Sequence, residues 1–160
     1  MSFSAMQDIA QHLELSLDEL DSTPLLREMY AWWNKGDDLP HWKEVSPFSI
    51  PRGLLPRVIL VEMSEDPVRF KIRLAGTALC AEQGWELKGH YVDEIYNARD
   101  YKVIEANYLD CAKTRKPRFS ERHVLCTTGN WVVYRVLILP LRGDDGAVKG
   151  FVSCSAAINQ

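Results

Sequence analysis

The sequence predicts an α+β domain: one antiparallel sheet with helices packed on a single face. Three observations carry this. Strand signals fall as two, then three, separated by helical segments. Tight turn signals join neighbouring strands at Glu65-Asp66-Pro67, Thr127-Thr128-Gly129-Asn130 and Gly143-Asp144-Asp145-Gly146, so these neighbours pair antiparallel. Trp131 to Leu141 is almost continuously apolar, as a central strand buried on both faces requires.

In chain order, Ser4 to Leu20 reads as a short amphipathic helix. Ser4 and Gln7 resemble a capping box, and Met6, Ile9, Ala10 and Leu13 fall at helical spacing. Ser16 is a candidate interruption. A second helix starts at Ser22 or Thr23, with Pro24 in its first turn. It presents Leu25, Leu26, Met29, Tyr30, Trp32 and Trp33, and ends at Lys35-Gly36. Trp32 and Trp33 are read as core packing. Prolines 40, 47, 51 and 56 forbid a long regular element from Leu39 to Pro56. That stretch is an ordered connector, with one helical turn between Ser46 and Leu55.

Val58–Met63 and Val68–Ala75 are the first strand pair, by β-branched content and the intervening turn. A short helical piece spans Ala78 to Gln83, followed by a compact loop punctuated by Gly84 and Gly89. Asn97 or Ala98 to Thr114 is one helix. Val103, Ile104, Ala106, Tyr108, Leu109 and Ala112 lie largely on one side, and Lys113 and Arg115 suit its negative end. Phe119–Cys126, Trp131–Leu141 and Val148–Ala157 are the last three strands.

This order resembles a PAS domain, and is most similar to the bacterial family PAS_5. The resemblance rests on Pro56 and the strand after it, Arg73-Leu74-Ala75-Gly76-Thr77, Gly84-Trp85-Glu86-Leu87-Lys88-Gly89, and Arg135-Val136-Leu137-Ile138-Leu139-Pro140-Leu141. The helix bearing Trp32 and Trp33 also looks like that family's N-terminal part. It implies a PAS-like five-stranded antiparallel sheet curled around a small cavity, with helices on one face. The expected organisation is an N-terminal helical extension over residues 1–38 and a PAS-like sensory domain over 39–160. Such domains bind a small molecule or dimerise and pass a conformational signal onward. Few residues follow Ala157, so the output is expected to act in trans or through a homodimer formed by the N-terminal helices.

Composition narrows the function further. A net charge of -3 offers no footprint for nucleic acid. No apolar run approaches the roughly 18–20 residues of a membrane span, and Asp8 and Glu14 speak against a secretory signal. A cytoplasmic protein is expected. Cys80, Cys111, Cys126 and Cys154 lack Cys-x-x-Cys spacing and read as small hydrophobes. His12, His41, His90 and His123 are too dispersed for a metal site.

No cofactor is expected. A flavin photosensor of this fold resembles an Asn-Cys-Arg pattern, whereas Cys80 follows Leu79 and precedes Ala81. Residues 98–114 hold no histidine for a haem. No nucleophile elbow, phosphate loop or His-Glu-x-x-His is present, so no enzyme is expected and no catalytic residue is assigned. The candidate ligand-binding residues are Arg73 and Arg135, each a cation embedded in an apolar strand, with Trp85, Tyr91 and Tyr108 as apolar lining. Such an arginine either forms a structural ion pair or reads a ligand's anion. Since guanidinium forks suit carboxylates and phosphates, a small anionic or carboxylate ligand is the expected partner. The alternative is a protein–protein interaction module whose core is filled by side chains, with the sheet face or the Trp32–Trp33 helix as partner surface.

Overall fold

Residues 8–158 are described by the computed structural model. Its strands are β1 (Asp8–Leu15), β2 (Val58–Ser64), β3 (Arg69–Ala75), β4 (Arg118–Leu125), β5 (Trp131–Arg142) and β6 (Val148–Ala157). The helices are α1 (Pro24–Trp33), α2 (Thr77–Gln83) and α3 (Ala98–Thr114), with 3-10 turns at Leu17–Ser22, Trp42–Glu44, Leu55–Arg57 and Val92–Glu94. The strands form one antiparallel sheet in the order β1-β4-β5-β6-β2-β3.

Local signals account for most boundaries. Pro24 sits in the first turn of α1. Asn97 caps α3 by accepting from the Asp100 N–H at 2.8 Å, which satisfies one of the helix's orphan donors. α2 closes on Gly84 at φ 85°, a left-handed position that glycine adopts at no steric cost. Pro56 falls inside the 3-10 turn Leu55–Arg57 instead of ending a helical turn before it. As the second residue of that turn, it gives up an N–H that has no partner within the turn.

The sheet has six strands where five were expected, because Asp8–Leu15 is a strand and not a helix. Ile9 and Leu13 are spaced for either structure, but the open edge of β4 supplies partners from Leu125 down to Phe119. A short isolated helix has nothing comparable to offset its nucleation cost. Ser16 then starts the 3-10 turn Leu17–Ser22 through a capping box with Glu19. Ser4, Met6 and Gln7, on which the helical reading also leaned, lie outside the described residues.

Both faces of the sheet are buried. On one side α2, α3 and the Val92–Glu94 turn cover Val61, Phe70, Ile72, Val124, Val136, Ile138 and Phe151. The stacked Phe70–Tyr108 pair, centroids 4.8 Å apart, and Phe151 at 4.8 Å from Tyr108 form its aromatic centre. On the other side α1 and the connector cover Leu137, Leu139, Leu141, Val152 and Cys154. The helices between β3 and β4 thus share one face, and the N-terminal helix takes the opposite one. The odd-numbered residues of β5 are as apolar as the even ones, and they too require cover. α1 meets that need with Leu26, Met29 and Trp33. The Trp33 indole N–H donates to the Pro140 carbonyl at 2.9 Å, pinning the helix to the longest strand.

β1 is bound to α3 as well as to β4. The Ile9 N–H donates to Asp100 Oδ2 at 2.8 Å, and His12 Nε2 lies 3.1 Å from Asn107 Nδ2 and 3.0 Å from Glu14 Oε1. Burial lowers the His12 pKa below its usual 6.5; Glu14 pulls it back up, while Arg122 and Arg118 add to the lowering. The folded state therefore disfavours the imidazolium, and the unfolded chain takes up the proton first as pH falls. Stability should drop on going from about pH 7.5 to about pH 5.5. Thermal unfolding across that window checks this: His12→Gln should flatten the decline, and an unchanged slope overturns it. Glu14 and Glu121, whose pKa values lie below the usual 4.5, titrate outside the window.

Candidate functional site

Between the sheet and its α2–α3 cover lies a cavity of about 50 Å³. Strand alternation builds its floor. Arg122 and Val124 point into it from β4, Tyr134, Val136 and Ile138 from β5, and Ser153 and Ser155 from β6. Leu79 and Gln83 descend from α2, Tyr108 from α3, and Tyr96 from the segment just before α3.

The lining is unusually polar for a domain centre. Arg122 is only 7% exposed, and its Nε and Nη2 are buried without a hydrogen-bond partner. The Tyr96 phenol interacts with this guanidinium. Burial raises the pKa values of Tyr96, Tyr108 and Tyr134 above the usual phenol range, with Cys126 and Glu82 adding to the shift at Tyr134. All three are thus hydroxyl donors at neutral pH. The Tyr134 hydroxyl donates to Glu82 Oε1 at 2.9 Å. Glu82 in turn accepts a bidentate pair from Arg57 at 2.8 and 3.0 Å. This network joins α2, the Leu55–Arg57 turn and β5 into one wall of the cavity.

Of the five side chains selected from sequence, Tyr108 lines this cavity. The others stand elsewhere. Arg135 is on the α1 face, where its Nε donates to Glu121 at 3.1 Å and its Nη1 to Ser22 Oγ at 2.6 Å and Thr23 Oγ1 at 3.2 Å. It therefore ties the start of α1 to the sheet. Arg73 is solvent-exposed on β3 and donates to Glu62 at 2.6 Å. Trp85 packs against His90, centroids 4.7 Å apart. Tyr91 lies beneath the Arg69 guanidinium at 3.6 Å, next to the edge of β3.

The residue missed in the sequence is Arg122. Its signal was present but ambiguous: Ser120, Arg122 and Val124 alternate with Phe119, Glu121 and His123. With both faces of the sheet covered, alternation separates the two sets without saying which one meets the cavity. Cys80 is partly buried, is not among the lining residues, and has its thiol pKa raised by burial. A flavin ring system exceeds a space of about 50 Å³, so these residues do not fit that cofactor.

A sheet in the order β4-β5-β6-β2-β3, with helices inserted between β3 and β4 and closed over a polar-lined cavity, defines a PAS-type sensory and regulatory domain. The family profile PAS_5, described as a PAS domain, matches residues 21–155, and the chain belongs to that family. Among solved structures, the fungal blue-light photoreceptor Vivid, as its light-state dimer, is similar at 14% identity. That alignment covers 85% of this chain and 93% of Vivid with a TM-score of 0.52. A LOV protein from Rhodobacter sphaeroides aligns at 11% identity over 86% of this chain and 68% of that one, also at 0.52. The PAS domain of a Colwellia psychrerythraea protein aligns at 12% identity over 67% and 92%, with a TM-score of 0.50. At these identities the likeness is one of fold. No curated protein matches the chain by sequence. Among the described residues no helix is long and apolar enough to cross a membrane.

Proposed function

We propose that this PAS domain senses a small molecule held in the cavity between the sheet and the α2–α3 cover, and that it binds its guest without transforming it. The observation that carries the reading is the polar lining. A domain centre that serves only packing is apolar, whereas this one holds a buried arginine, three phenols, two serines and a glutamine. No His, Cys, Asp or Glu is among the lining side chains, which leaves a catalytic reading without an acid–base pair. A cytoplasmic setting agrees with four free cysteines, three of them buried.

The signal is proposed to leave in trans or through a second copy of the chain. The outer edge of β3 is covered, because Ile72 exchanges backbone hydrogen bonds with Gly89 and His90. β1 pairs with β4 alone among the described strands, so its outer edge is the side where a second copy is placed. α1 spends its apolar face on its own sheet, which moves the proposed contact away from the helices.

The test is a thermal-shift screen of small polar metabolites, with mass spectrometry of protein purified from its host. A saturable stabilising guest is expected, and Ser153→Val, which narrows the cavity, should abolish its effect while the fold persists. A guest whose effect survives Ser153→Val is not in the cavity and overturns the reading. So does a screen with no guest, which leaves the interaction module with a side-chain-filled core. The small volume favours that second reading, since it is well below the roughly 300 Å³ at which drug-sized pockets begin.

A further inference from the structure

We infer that the guest of this cavity is a small planar oxyanion of about four non-hydrogen atoms, a short carboxylate or an inorganic trigonal anion, gripped side-on by Arg122. This rests on the cavity being a ligand site and adds the class of ligand. The first support is the geometry of the free edge. Nε and Nη2 lie on one side of the guanidinium with their N–H bonds nearly parallel, a fork that matches two oxygens of one carboxylate. Arg69 uses the same two atoms on Asp93 in this chain, at 2.8 Å each. On Arg122 these are the two nitrogens buried without a partner. No carboxylate among the described residues lies within ion-pair distance of it. The partly buried Arg57 and Arg135, by contrast, hold Glu82 and Glu121.

The second support is the surroundings. No lining side chain carries negative charge, and phenol and hydroxyl groups from Tyr96, Tyr108, Ser153 and Ser155 stand on the same cavity. A buried cation with donors around it and no anion is complementary to a negative guest. The third is size. At about 10–15 Å³ for each water-sized sphere, a cavity of about 50 Å³ takes formate, acetate, nitrate or bicarbonate. Amino acids, dicarboxylates and nucleotides are too large.

The experiment titrates the full chain with formate, acetate, nitrate and bicarbonate at constant ionic strength, with acetamide as a neutral isostere of acetate. It reads thermal stability and the arginine Nε–H resonances. At least one anion should stabilise the wild type saturably and move one Nε–H signal, while acetamide does neither. The carboxylate and inorganic arms distinguish the two sources. Arg122→Gln should weaken the effect at least about tenfold, and Arg73→Gln should leave it intact. Arg122→Met should fold, with no loss of stability in anion-free buffer, because it removes a buried cation without a carboxylate. If acetamide binds as well as acetate, or if Arg122→Gln keeps full affinity, the cavity remains a ligand site and the oxyanion assignment fails. If the resonances show no response to any probe while another guest binds, the assignment fails in the same way. If neither charged nor neutral molecules bind, the cavity reading falls with it, and ordered water is what Nε and Nη2 of Arg122 meet.

Discussion

Gly76→Ala is expected to destabilise the domain by about 3 kcal/mol or more, because no other described glycine has backbone so close to where its Cβ would stand. Gly76 precedes the first residue of α2, and its N–H donates to the Val58 carbonyl at 2.8 Å. A Cβ there would overlap the carbonyl of Pro56 and stand 2.6 Å from that of Leu55. Its backbone angles, φ -66° and ψ 147°, suit any residue, so the cost is steric and not conformational. The obstacle is backbone in the Leu55–Arg57 turn, which no side-chain rotation relieves. Relief requires α2 to move away from that turn, carrying Leu79 and Gln83 out of the cavity wall and straining the Arg57–Glu82 pair. Urea unfolding measures the effect, and a variant within about 0.5 kcal/mol of the parent would disprove the close approach.

The second large effect belongs to Glu82. Glu82→Ala should cost about 2–4 kcal/mol, because it strands two groups at once. The Arg57 and Glu82 side chains are only 17% and 14% exposed, so water replaces the lost carboxylate poorly. The Tyr134 hydroxyl loses its acceptor on the cavity wall. Replacing the whole network by apolar groups should be far milder. Arg57→Met with Glu82→Met and Tyr134→Phe leaves neither a charge nor a hydroxyl unpaired, although the Ser155 carbonyl loses the Arg57 Nε–H. A double-mutant cycle on Arg57 and Glu82 should give a coupling of about 1–3 kcal/mol, and additivity of the two single losses would refute the network.

These two sites show how unevenly the fold could be read from residues. Arg73-Leu74-Ala75-Gly76-Thr77 marked where the first strand pair gives way to a short helix, but not why glycine stands there. The backbone it approaches is about twenty positions upstream, and nothing local names it. α1 and α3 were readable from Pro24, Asn97 and the positive residues near Thr114, since capping is local chemistry. β1 was not. Ile9 and Leu13 satisfy two periodicities, and the open edge of β4, more than a hundred residues away, settles the choice.

The candidate site divides along the same line. An arginine in an apolar strand is legible as a cation that must find an anion, and Arg135 finds Glu121 across the strand pair. That Arg122 lacks such a partner depends on which side chains converge from β1, β4, β5 and α3, and no window of sequence contains them all.

By itself the sequence determined the α+β class, the antiparallel pairing of the hairpins and the order of helices and strands from α1 onward, because these follow from short-range periodicity, caps and turns. Tertiary structure alone decided the sixth strand, the placement of α1 opposite α2 and α3, and the choice of Arg122 over Arg73 and Arg135 as the cation inside. The physical reason is that burial on both sides of a sheet erases the contrast between inner and outer positions, so only packing decides what an alternating side chain meets.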